Sequence, residues 1–155
     1  MAGFIKFDDV DGESRDKGHD KWSDVIVFSQ NFHRQVQVGA RAHHMISDPV
    51  RVVKAVDAAS AILLEKMSTN HIFPKVEIDC TRSYTGEGRK GFLKVRLLRC
   101  MVHGFQLTGP TQSDDVPTEE LTLGFESIEF EYILAGPDGK QEGAFTTLID
   151  YDSAR

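Results

Sequence analysis

Two cysteines, five prolines and a single tryptophan among 155 residues exclude several common designs. Cys80 and Cys100 are too few for a disulfide-stapled scaffold. They fall at apolar-phase positions of strand-like segments and read as free buried thiols of a reducing compartment. No stretch approaches the roughly 20 apolar residues that a membrane helix needs. Met1-Ala2-Gly3 leads straight into a strand-like segment, without the basic start and apolar run of a secretory signal. The expectation is a chain made in the cytoplasm that is exported, if at all, without a signal peptide. Basic charge is not in excess either: 18 Lys and Arg stand against 24 Asp and Glu, a formal net charge of −6. Nucleic-acid binders usually carry a basic stripe, and none is found here. Internal repeats and low-complexity tracts are absent. What remains is one domain, residues 1–155, with 40% hydrophobic residues to fill a single core.

Motifs that suggest chemistry fail on context. Gly86-Glu87-Gly88-Arg89-Lys90-Gly91 spells a dinucleotide fingerprint, but such a site needs a helix after the glycines, and Phe92 opens a strand. A glycine-rich hairpin turn is the better reading. Asp9, Asp11 and Gly12 hint at a calcium loop, yet Phe7 and Gly18 stand where further ligands are needed. The adjacent His43 and His44 point to opposite faces of an extended chain. His19, His33, His71 and His103 are scattered, and none has a helical i, i+4 partner, so no metal or cofactor is expected. Cys100 and His103 are near in sequence, but a thiol buried in apolar surroundings is inert. No catalytic residues are assigned, and the chain is not expected to be an enzyme.

Periodicity points to antiparallel β structure. In Pro117–Tyr132, Leu121, Leu123 and Phe125 alternate with polar or small residues. The phase then flips, and Ile128, Phe130 and Tyr132 alternate with Glu129 and Glu131. The flip at Glu126–Ser127 reads as a bulge or corner in one long strand from Glu119 to Leu134. Phe4–Val10, Trp22–Phe32, Lys75–Thr81 and a short last strand, Phe145–Ile149, complete the pattern. Leu93, Val95 and Leu97 alternate, and the phase shifts at Leu98 through Cys100 and Val102. Ser83–Gly91 reads as a hairpin loop and Gly109–Val116 as a polar connection. One helix, Ala61–Met67, is expected, with Ser60 as N-cap, Ile62, Leu63 and Met67 on one face, and Asn70 as a left-handed stop. Long strands that bend imply a closed or nearly closed barrel, two packed sheets with one short helix and an extended loop.

Several segments together resemble the hemolysin-coregulated protein (Hcp) family of the bacterial type VI secretion machine. Pro117-Thr118-Glu119-Glu120 and its strand resemble the family's motif in the last third. Phe4–Ser14 resembles its opening strand and Gly-Glu-Ser turn. Asp16–His19 with Trp22–Ser29 resembles the next loop and strand. Asp48-Pro49-Val50 through Lys54, Asp57 and Ser60 resembles the segment entering its helix. The likeness runs in order from about residue 4 to residue 134. It breaks after Ser29, where Gln30-Asn31-Phe32-His33 replaces a Trp-Gly pair, and between Phe145 and Asp150, where a Gly-Trp is missing.

The resemblance implies hexameric rings that stack into an inner tube, wrapped by a contractile sheath and capped by a spike protein. Small effectors ride inside, and the tube protein is itself secreted to the extracellular space or a target cell. Ser29, Glu129 and Glu131 are then candidates to line the lumen, although alternation alone leaves the inward face of the Ser29 strand open. Arg41, His43, His44 and Asp48, on a projecting segment from Arg41 to Val50, are candidates for contacts between rings. Asp9, Asp11 and Arg15, in the Asp8–Asp20 loop, form a second stacking candidate. The alternatives are a tail-tube protein of a phage-like contractile particle and a monomeric small-ligand binding barrel.

Overall fold

A computed structural model describes residues 1–34, 39, 45–84 and 88–150. Its elements are β1 (Ala2–Phe7), β2 (Ser23–Ser29), β3 (Phe32–Arg34), β4 (Met45–Ser47), β5 (Val50–Ala55), α1 (Ala59–Ser68), β6 (Phe73–Tyr84), β7 (Gly88–Thr108), β8 (Thr118–Gly124), β9 (Ser127–Ala135) and β10 (Gln141–Asp150). Six strands, in the order β7-β6-β1-β2-β5-β8, return from β8 to β7 and close an antiparallel barrel. The pair β9–β10 extends from β7 as a wing, and β3 and β4 form a separate two-stranded arm.

Closure depends on β7, which spans 21 residues. Leu93–Leu98 pair with β9, whereas Met101–Thr108 pair with β8. The strand changes partner at Arg99, a non-glycine residue with φ of 51°. Glu126 holds this corner: its carboxylate lies 2.6 Å from Arg99 Nε, and its amide donates to the Leu98 carbonyl at 3.1 Å. The extra residue shifts the phase, so Leu97, Cys100 and Val102 are all buried, as the apolar pattern predicts. At the same corner the expected single strand Glu119–Leu134 is two strands. β8 and β9 lie on different partners and are separated by Phe125 and Glu126.

Directly opposed residues of a ladder share one face. Ile5, Ile78, Val95 and Phe130 form one inward row, and Phe7, Val76, Leu97 and Ile128 the next. Val50, Val52, Leu121 and Leu123 fill the other wall. Each fully buried side chain of this size contributes about 1.5–3 kcal/mol. α1 packs on β7 and inserts Leu63, which is fully buried.

The helix begins two residues earlier than expected and is capped differently. Asp57, and not Ser60, supplies the cap: its Oδ1 accepts from the Ala59 amide at 3.0 Å, and Ser60 Oγ accepts from the Asp57 amide at 3.0 Å. A carboxylate is the stronger acceptor, and the two residues satisfy one another reciprocally. Ile62 lies outward, because Ala59, Ser60 and Leu63 form the buried side. Asn70 does adopt the left-handed conformation, with φ of 54°.

Two strands differ most from the sequence pattern. Trp22–Phe32 is not continuous: β2 ends at Ser29, and Phe32 opens the arm. Val50–Ala55, expected only to lead into the helix, is a barrel strand between β2 and β8. Lys54 obscured it, because its charge falls at an inward position. Lys54 and Glu119 face each other across β5 and β8, both fully buried, with Nζ 2.6 Å from Oε1. Lys54 also reaches Asp57 Oδ1 at 2.7 Å and donates to the Ala55 carbonyl at 3.1 Å. A lone charge there would be costly, and the pair is tolerated because each ion is the other's partner.

Candidate functional site

The β1–β2 loop, one of the two predicted contact segments, folds back on itself. Gly12 donates to the Lys21 carbonyl, Ser14 to the Trp22 carbonyl, and Lys21 to the Ser14 carbonyl. Gly12 is required here, since a Cβ would lie 2.4 Å from Ser23 Oγ and 2.5 Å from the Trp22 carbonyl. Asp9 is exposed at a left-handed turn position, with φ of 60°, and Arg15 is exposed. Asp11 is tied down: Lys6 Nζ lies at 2.8 Å and Lys21 Nζ at 3.6 Å. The hydrogen bond from Lys6 holds the Asp11 carboxyl below its ordinary range.

His19 anchors this loop, a role its scattered position in the sequence did not suggest. Its Nδ1 lies 2.8 Å from Asp16 and its Nε2 2.7 Å from Asp79 on β6. The ring stacks on Phe4 at 4.2 Å and meets Trp22 edge-on at 4.9 Å. Asp16 titrates below its usual value, chiefly because His19 hydrogen-bonds it. The available signal was the outward phase of Phe4 in β1 and of Asp79 in β6, which are directly opposed.

The arm is the second predicted contact segment. Arg41, His43 and His44 lie outside the described residues. Asp48 sits at the arm's base. It accepts from Asn31 Nδ2 at 2.8 Å, and its amide donates to the Asn31 carbonyl at 3.0 Å. Gln30 Nε2 reaches Ser47 Oγ and the Asp48 carbonyl at 2.5 and 2.8 Å. Gln30 and Asn31, at the point where the likeness to the family's Trp-Gly pair breaks, therefore tie the end of the barrel strand to the base of the arm by hydrogen bonds.

The three lumen candidates all point away from the barrel core, but they are not gathered in one place. A bulge between Val25 and Val27 resolves the phase of β2. Val25 opposes Gly3 and Phe28 opposes Val52 on the inner side, whereas Ser29 opposes Arg51 on the outer side. Arg51 in turn pairs with Glu120. Glu129 and Glu131 lie four strand positions away, on β9, and both bind Arg96 of β7. Partial burial opposes the charge of Arg96, but these two carboxylates outweigh it and raise its pKa.

A closed barrel filled by its own side chains, with a folded-back loop and an arm at its margins, defines a class of compact β-barrel proteins whose outer faces are left open to contact. Comparison with known proteins names the family. Residues 4–132 match the family described as "Type VI secretion system effector, Hcp", and the chain belongs to that family. Protein hcp1 of Pseudomonas aeruginosa is 28% identical over 144 residues, spanning 90% of this chain and 88% of that one. A solved type six secretion system protein superposes with a TM-score of 0.90 at 24% identity, covering 100% of this chain and 98% of the other. Hcp1 from Salmonella typhimurium gives 0.81 at 20% identity, covering 99% and 97%.

Proposed function

We propose that this chain, acting as one unit, is a structural subunit of the type VI secretion inner tube. It assembles into hexameric rings that stack. The observation that carries this reading is the match to the Hcp family over residues 4–132, joined to a barrel that keeps the family's fold. A ring needs a heterologous contact that closes after six copies, and stacking needs contacts on both rims. The β1–β2 loop, with Asp9, Asp11 and Arg15, serves one rim. The arm, with Arg41, His43, His44 and Asp48, serves the other. Ser29, Glu129 and Glu131 are carried on outward faces, and small effectors meet whichever of these faces the ring turns inward.

The neighbours in this reading are the contractile sheath, the spike protein and the effectors. The protein waits in the cytoplasm and is expelled by the machine to which it belongs. No helix among the described residues is long and apolar enough to cross a membrane. The role is mechanical, not enzymatic. A phage-like tail tube would use the same barrel with different neighbours. A monomeric ligand-binding barrel is disfavoured, because Ile5, Ile78, Leu97, Leu121 and Leu123 fill the interior a ligand would occupy.

The test is the native mass by light scattering on a sizing column, with negative-stain images of the same peak. A mass about six times 17.3 kDa with annular particles supports the reading. A monomer across a concentration series overturns it.

A further inference from the structure

Both imidazole nitrogens of His19 meet carboxylates: Nδ1 lies 2.8 Å from Asp16 Oδ2 and Nε2 lies 2.7 Å from Asp79 Oδ2. A neutral imidazole has one N–H donor and one acceptor, whereas imidazolium has two donors. An ionised carboxylate only accepts, so the two contacts together require the charged imidazole. Asp16 titrates below its ordinary range, so it does not supply the second proton. Little solvent reaches the site: the side chains of His19 and Asp79 are 8% and 12% exposed. Phe4 stacks on the imidazole and Trp22 meets it edge-on.

Losing the proton would set a nitrogen lone pair against one of the two carboxylates. Asp79 depends on His19 most. Its Oδ1 is buried without a hydrogen-bond partner, and His19 meets its Oδ2. A buried carboxylate stripped of its donor is costly, and the cost falls if the loop lifts away and admits water. The charges around the site do not replace that donor. On β7, Arg89 lies 3.9 Å from Asp16, and Lys94 opposes Asp79. These cations offset part of the negative charge. Asp24 of β2 and Glu131 of β9 fall in the same outward row and add to it. Lys6 of β1 is committed to Asp11.

The position of His19 makes it a tether. Its amide donates to the Asp16 carbonyl and its carbonyl accepts from the Trp22 amide, so its backbone belongs to the folded-back loop. Its side chain reaches β6, 60 residues further along the chain.

We propose that His19 is a proton-operated clasp: its imidazolium holds the β1–β2 loop against β6, and loss of one proton releases the loop. The clasp stands on this chain alone. Its consequence for assembly rests on the ring reading. The loop carries Asp9, Asp11 and Arg15, so rising pH unmakes one rim and weakens stacking.

The experiment follows the wild-type protein from about pH 5 to about pH 10. Histidine-selective nitrogen NMR reports the charge of each imidazole, with His19→Gln to assign His19. Hydrogen exchange, expressed as protection factors, reports the amides of Gly12, Ser14 and Lys21. Their protection should fall about 10-fold or more as His19 loses its proton, while the β6–β7 ladder is unchanged. Asp79→Asn should keep the loop closed and abolish the step. A neutral imidazole can then donate to Asp16 and accept from the new side-chain amide. Should that variant fail to fold, Asp16→Asn makes the same test at Nδ1. A loop that stays protected while His19 titrates overturns the clasp. So does a His19 that keeps one charge state throughout, or a step that persists in the folded Asn variant. Light scattering on the same samples reads assembly. Stacks that shorten in the same pH interval support the consequence for the rim. Stacks that persist with the loop open overturn that consequence and leave the clasp. A monomeric wild type overturns the ring reading and leaves the clasp.

Discussion

Lys54→Met isolates the least expected element of the core. Lys54 Nζ lies 2.6 Å from Glu119 and 2.7 Å from Asp57, and the side chains of Lys54 and Glu119 have no solvent exposure. Truncating the cation leaves the Glu119 carboxylate buried, with neither oxygen holding a hydrogen bond of good geometry. It also strips a partner from Asp57, which caps α1. Breaking a buried pair in this way costs about 3–5 kcal/mol, a large share of the roughly 5–15 kcal/mol that holds a domain together. Removing both ions is different. Lys54→Met with Glu119→Leu replaces the pair by apolar volume and should recover at least about 2 kcal/mol of the single-variant loss. The assay is urea unfolding at neutral pH, comparing midpoints at constant m-value. A loss below about 1 kcal/mol for Lys54→Met, or a double variant no better than the single one, refutes the reasoning.

Three further outcomes follow from the same structure. Asp16 titrates below its ordinary 3.8 chiefly because of His19. A lowered folded-state pKa contributes stability that is present above the unfolded value and lost as pH falls through the folded one. Asp16→Asn should therefore remove under about 1 kcal/mol at pH 7 and less below pH 3.8, read from urea midpoints along a pH series. Burial pushes the Cys100 thiol up to about 12, so it should resist a thiol reagent at pH 8 and react only as fast as the protein unfolds. Rapid labelling of Cys100 in the folded protein would contradict its buried placement. Leu63→Ala should cost about 2–5 kcal/mol, whereas Leu64→Ala, at a half-exposed position, should change stability by less than about 0.5 kcal/mol, both measured by thermal unfolding.

The candidate surfaces were legible to different degrees. Glu129 and Glu131 were assigned correctly to the polar side of their strand, because nothing interrupts its alternation. Ser29 was ambiguous, since a bulge after Val25 reverses the phase and leaves no mark in composition. His19 was set aside as isolated in sequence. Its partner Asp79 is 60 residues away, and only the β1–β6 ladder brings the two together.

Period-two alternation, the Glu126 corner and the Leu98 phase shift sufficed to establish an antiparallel barrel with one helix, because side-chain burial in a strand depends on local sequence parity. The sequence motifs also pointed to the family. Tertiary structure decided the rest. It made Val50–Ala55 a wall strand despite Lys54, since a charge can face inward once Glu119 meets it from another strand. It turned one long segment into β8 and β9 on different partners, because β7 bends at Arg99 and offers each half a separate edge. Pairing and ion matching are long-range, so their energy appears only when distant residues are side by side.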